Sequence, residues 1–224
     1  MITKIRSIEQ IIEEQIQRWK LMQIEKPIEK PCIPIITVSR EPGSGGSIIA
    51  KRLTEKLGID LFHQEVLHEM AKSTDVSTQL LKTLDEKGLS ILEDWISSLV
   101  HDRHLWPDQY LKRLMKVIGT IGEHGRAVIV GRGANFILSP DNCFRVRVIS
   151  PQRVRIQHVV KSFNIPEDEA KRRVIRTESD RRAFIRKYFN AEIADPINYD
   201  IVINTGTLSM DDAASAIAAA IEVK

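Results

Sequence analysis

An α/β fold, in which a parallel sheet lies between two layers of helices, follows from three features of the sequence. Short apolar runs recur at 35–39, 127–130, 144–149 and 201–204, the last within YDIVINTG. Such runs suit parallel strands buried on both faces. Stretches of helical periodicity separate them, as the crossovers of a parallel sheet require. Finally, the first run leads through SREPGSGGSII, a glycine-rich turn, directly into AKRLTEKLG.

The 224 residues suffice for one sizeable domain with an inserted lobe, and two independent large domains would not fit. With 42% hydrophobic and 28% charged residues the chain reads as a soluble globular protein rather than a disordered one. The N-terminus is polar, and no apolar stretch approaches the roughly 18 to 20 residues of a membrane span, so a cytoplasmic location is expected. Cys32 and Cys143 have neither CxxC nor metal-ligand spacing, which excludes a disulfide framework or zinc site. A net charge of +3 is too small to imply nucleic acid by itself. Arginine and lysine nevertheless crowd the stretch 145–187, which therefore calls for an anionic partner.

Ile8, Ile11, Ile12, Ile16, Trp19 and Met22 mark one face of an N-terminal helix, and Ser7 with Gln10 forms a capping box. That face is expected to pack on the body of the protein or on a second subunit, so a homodimer is possible. KPIEKPCIP then breaks the helix, making 1–34 an appendage to a domain at 35–224. Within that domain a helix is expected from Ser47 to Leu57, stopped by Gly58. Helical patterns at 64–71, 78–85, 89–100 and 107–124 form an insertion at about 64–124, with Trp95 and Trp106 expected in its core. Ser150 and Pro151 open another helix, followed by an arginine-rich helix over 167–189 and an alanine-rich one from about Ser209 to Glu222.

Strand, glycine loop and helix is the order a phosphate-binding loop requires. Gly43, Gly45 and Gly46 let successive backbone N–H groups converge on an anion at the positive end of a helix. The expected ligand-binding segment is Gly43, Ser44, Gly45, Gly46 and Ser47. Gly46 stands where such loops carry lysine, and the hydroxyl that binds a metal is expected at Ile48, one place after Ser47. Arg40 is the nearest source of compensating charge.

ITVSREPGSGG, AVIVGRGANFIL, RTESDRRAFIRKYF and YDIVINTG, in this order and spacing, resemble the cytidylate kinase-like proteins, relatives of bacterial cytidylate kinase among the nucleoside monophosphate kinases. The resemblance covers about 35–222. It implies a P-loop NTPase-like three-layer core, a helical lobe that binds the monophosphate, and an arginine-rich lid at about 165–190. By that resemblance Arg132, Arg176 and Arg181 are catalytic arginines, with Arg132 on the acceptor phosphate and Asp180 reading the acceptor nucleoside. Two carboxylates that flank the arginine in true cytidylate kinases are here Val130 and Gly133. Another family arginine falls at Ala183, with Arg182 and Arg186 as nearby substitutes.

The expected reaction is ATP plus a CMP-like monophosphate giving ADP and the diphosphate, with Mg²⁺ bridging donor oxygens. Phosphoryl transfer asks mainly for alignment and charge neutralisation, which bidentate arginines provide. A nucleotide-binding regulatory protein without turnover is the alternative, since the loop lysine is missing. Nucleic-acid binding through the arginine helix is a third and less favoured reading, because Val174, Ile175, Phe184, Ile185, Tyr188 and Phe189 can form a buried stripe there.

Overall fold

The computed structural model of the protein describes residues 7–25 and 35–223; Cys32 and the proline-punctuated connector lie outside them. Five strands, β1 (Ile35–Arg40), β2 (Asp60–Phe62), β3 (Ala127–Val130), β4 (Cys143–Ile149) and β5 (Ile201–Asn204), form one parallel sheet. Their order is β2-β3-β1-β4-β5. With β1 flanked by β3 and β4, the chain switches direction across the sheet at the end of β1. Open α/β sheets bind ligands at such a crevice, outside the C-terminal ends of the strands.

The two-residue period of the strands sorts the core into two sides. Ile36, Val38, Val128, Val130, Val146 and Val148 pack with Ile49 and Leu53 of α2 (Gly46–Leu57) and Ile217 of α10 (Met210–Val223). On the other face Ile35, Ala127, Ile129 and Cys143 meet α3 (Gln64–Lys72), α6 (Gln109–His124) and the C-terminal half of α9 (Glu167–Phe189). Two further helices, α4 (Thr74–Leu81) and α5 (Glu86–Asp102), complete the insertion, and α7 (Ala134–Ile137) follows β3. A smaller cluster of Ile156, Val159, Ala170 and Val174 joins α8 (Gln152–Phe163) to α9.

The sequence expectation of one helix at 78–85 is corrected. Ser73 caps α4 by accepting from Val76 N–H at 3.3 Å, and Asp85 caps α5 by accepting from Gly88 N–H at 2.7 Å, so a turn separates the two. Trp106 is a second correction. It lies in the loop before α6 and is 96% exposed, outside any core. Trp95 is half-buried and donates its indole N–H to the Ile137 carbonyl at 2.6 Å. β2 and α7 escaped the sequence reading because three or four residues are too few to display a period.

The N-terminal helix α1 (Ile8–Glu25) starts at the capping box, with Ser7 N–H on Gln10 Oε1 at 3.0 Å and Gln10 N–H on Ser7 Oγ at 3.2 Å. Its Ile12, Ile16 and Trp19 are buried in the core on the α3 and α6 side. The apolar face is thus used within the chain. Trp19 stacks on the His124 ring with centroids 4.3 Å apart and planes at 10°. The Thr83 hydroxyl donates to the Leu80 carbonyl at 2.6 Å, so the 2.8 Å contact with His124 must be donated by Nε2–H.

Burial pushes His124 down to about 4 from its ordinary 6.5. The unfolded chain takes up this proton near the ordinary value, whereas the folded one resists until the lower value. Stability is therefore flat above that window and falls as pH drops through it. His124→Leu is expected to flatten the limb between pH 6.5 and 4 in thermal unfolding followed by circular dichroism; a slope equal to wild type would assign the acid sensitivity elsewhere. Trp19→Ala should cost about 3–5 kcal/mol in urea unfolding, since it empties a core position rather than an exposed helix face.

Candidate functional site

The turn after β1 places its glycines at the N-terminus of α2. Gly43 has φ +80, and a side chain there would drive into the Arg155 carbonyl, so α8 approaches the loop this closely only because the residue is glycine. The amides of Gly43, Gly45, Gly46 and Ser47 have no hydrogen-bond partner among the described residues. Around them lies a cavity of about 420 Å³ lined by the loop, by α8 and by Met210. Ser47, second residue of α2 and exposed, sits on its wall. Counting G-x-x-x-x-G-K-[ST] from Arg40 puts Ser47 at the hydroxyl position itself, which corrects the assignment of that position to Ile48.

Ser44 behaves differently from its neighbours. It is fully buried, its hydroxyl donates to the Glu41 carbonyl at 2.9 Å, and its own carbonyl accepts from Thr205 Oγ at 2.8 Å. Its side chain thus braces the loop and does not face the cavity. Glu41 is also committed: Oε2 accepts from Ser150 N–H at 2.9 Å and lies 3.3 Å from Arg155 Nε.

A second cavity of about 340 Å³ opens beyond the end of β1, lined by Ser39, Gln64, Asn135, Asp180 and Phe184 besides three arginines. Those arginines are Arg40, Arg132 and Arg181, and Arg40 and Arg181 line both cavities. The Arg40 guanidinium donates Nη2–H to Gln64 Oε1 at 2.8 Å, while Arg181 donates Nη1–H to the Arg40 carbonyl at 2.9 Å. Arg132 has a left-handed backbone, φ 53, between Gly131 and Gly133, and its guanidinium lies 5.7 Å from the centre of the Phe184 ring. Arg147, only 6% exposed, supports the wall from beneath through Ser39 Oγ at 2.8 Å.

None of these four arginines forms a salt bridge with a described carboxylate, and Nε of Arg40, Arg132 and Arg147 is buried without a partner. Burial, with Arg181 alongside, pushes Arg40 down to about 9; burial, with Arg147 alongside, pushes Arg181 down to about 10. Both stay charged at neutral pH. Buried unpaired charge is costly, and an anion in the cavities would relieve it.

Gly46 explains the absent lysine. A Cβ at this position would stand 2.5 Å from Arg40 Cβ and 3.1 Å from Cγ. The side chain that leaves residue 40 takes the room in which one from residue 46 would begin. An arginine at 40 and a lysine at 46 are therefore alternatives.

Of the residues singled out in the sequence, Arg40, Gly43, Gly45, Gly46 and Ser47 surround the first cavity, and Arg132, Asp180 and Arg181 face the second. Arg176 is exposed and lines neither. Arg182 and Arg186 pair with Glu192, at 3.5 Å and 2.6 Å, and line neither cavity. Sequence reasoning missed Gln64, Asn135, His158 and Lys161 as lining residues. The signals available were the basic stretch that contains Lys161, the GRGAN motif that contains Asn135, and the i, i+3 spacing that puts His158 and Lys161 on one helix face. Among the described residues no group of three His, Cys, Asp or Glu side chains is placed to hold a metal ion.

The matching family model is the cytidylate kinase-like family, over residues 35–207. The chain belongs to that family. It is 26% identical over 198 residues to a cytidylate kinase of Methanopyrus kandleri, covering 84% of this chain and 93% of that one. A cytidylate kinase of Desulfurococcus amylolyticus is 29% identical over 180 residues, covering 80% of this chain and 87% of its own. A crystal structure of an uncharacterized protein from Eubacterium ventriosum matches with a TM-score of 0.65 and 25% identity, covering 85% of this chain and 99% of that one. No helix among the described residues is long and apolar enough to cross a membrane.

The steric exchange at the loop is testable. Gly46→Lys alone is expected to lower the thermal midpoint by several degrees, and Arg40→Gly in the same chain should recover part of that loss. In a double-mutant cycle the pair should cost less than the sum of the single changes by about 1 kcal/mol or more. Additive costs would show that the two side chains do not compete for space.

Proposed function

We propose that this protein is a nucleotide-binding phosphotransferase that moves the terminal phosphoryl group of ATP to a nucleoside monophosphate of the CMP type. One observation carries the reading: the cavity at the glycine loop and the cavity over Arg132 meet at Arg40 and Arg181, which line both. A donor in the first and an acceptor in the second would face each other across two guanidinium groups. Family membership and the cytidylate kinase relatives support the same assignment.

The loop amides and the N-terminus of α2 would hold the donor phosphates. Arg132 would hold the acceptor phosphate, and Arg181 would bridge the group in transit, where charge on the peripheral oxygens must be neutralised. An acceptor phosphate is already anionic, so no general base is needed. Asp180, on the cavity wall four residues after Arg176, would contact the acceptor nucleoside. Magnesium belongs to this scheme as part of the Mg·ATP substrate, and the Ser47 hydroxyl on the cavity wall would be its ligand from the loop.

Purified protein with Mg·ATP and a panel of nucleoside monophosphates should form ADP, fastest with a pyrimidine monophosphate. Nucleotide binding without ADP formation across the panel would assign the chain to the regulatory class instead. Arg181→Ala is expected to lower turnover by roughly 10³-fold or more. Arg132→Ala should raise the acceptor KM while leaving the ATP KM within about twofold, since it faces only the acceptor cavity.

A further inference from the structure

With lysine excluded from position 46, the ammonium it would bring to the donor phosphates has to come from another part of the cavity wall. Arg40 is poorly placed for this. Its guanidinium is turned to the acceptor side, bonded to Gln64 and lying against Gly131. Arg181 stands at the boundary, with one nitrogen committed to the Arg40 carbonyl.

The wall opposite the loop is α8, and it is pinned there. The His158 ring nitrogen Nδ1 lies 2.9 Å from the Gly43 carbonyl, which requires the proton to be on Nδ1. Arg155, 6% exposed, ties the same helix to Glu41 at 3.3 Å and to Glu178 of α9 at 2.8 Å. One turn beyond His158, on the same face, Lys161 lines the donor cavity. Its side chain is exposed and has no hydrogen bond or ion pair with any described residue.

We propose that Lys161 supplies the ammonium that the glycine loop lacks and binds the polyphosphate of the donor nucleotide from helix α8. A four-carbon stem with three rotatable donors can follow the phosphates from a helix that is itself fixed to the loop. The loop keeps glycine at 46, Arg40 keeps its place towards the acceptor, and the missing charge enters from the opposite side of the cavity. This rests on the reading of that cavity as the ATP site.

The test is displacement of a fluorescent ATP analogue from the full chain by ATP and by adenosine, for wild type, Lys161→Ala and Lys161→Arg. ATP affinity should fall about tenfold in Lys161→Ala, the loss of one charge-assisted contact, and return to within about threefold of wild type in Lys161→Arg. Adenosine affinity and the melting temperature should not move, and in turnover the ATP KM should rise with the acceptor KM unchanged. Wild-type ATP affinity in Lys161→Ala overturns the proposal and leaves the ATP site standing. Parallel loss of ATP and adenosine affinity also overturns it, because the change then lies in cavity shape. Failure of the analogue to bind wild type overturns the ATP site and this inference together.

Discussion

Guanidinium groups gathered at the end of β1, none of them in a salt bridge with a described carboxylate, are the constraint around which the rest of the molecule is arranged. Arg40 is 8% exposed and has an unpartnered Nε, and Arg147 beneath it is similarly buried. Mutual repulsion and desolvation both act against such a cluster, which no apolar packing nearby can compensate directly. The sheet meets this cost from a distance. Its two valine- and isoleucine-rich faces are closed by α2 and α10 on one side and by the insertion and α9 on the other. That rigidity holds the arginines where an anion can pair with them.

The basic stretch that distinguishes the second half of the chain divides into separate tasks once it is folded. Arg145 makes a bidentate bond to Asp200 and fastens β4 to the start of β5. Arg155 binds α8 to the loop and to α9, and Arg182 and Arg186 hold Glu192. Only Lys161, Arg181 and, through Ser39, Arg147 reach the cavity region among the basic residues of this stretch. Charge density along the sequence therefore overstated the anion-binding surface, because Arg145, Arg155, Arg182 and Arg186 each answer a carboxylate of their own chain.

The candidate site was partly legible before folding. Strand, glycine turn and helix identify a phosphate loop because the backbone geometry demands that order, and GRGAN after a buried strand marks the turn on which Arg132 sits. Helix α9 was legible over its full length from its period, including the buried Val174, Ile185 and Phe189. Legibility failed for Arg147, a charged residue inside the strand that the structure buries beneath Ser39. It failed for Trp106 as well, because an aromatic residue beside a helical pattern carries no mark of the loop that exposes it.

By itself the sequence determined the α/β class, the parallel strands, the loop and the capping box of α1, since each is written in local periodicity or in the backbone freedom of particular residues. Tertiary structure alone decided the strand order, the two cavities and the residues they share, because these depend on which distant segments lie side by side. It also decided why position 46 is glycine. Five residues of sequence separate it from Arg40, and only the fold of the loop brings their β-carbons into the same space.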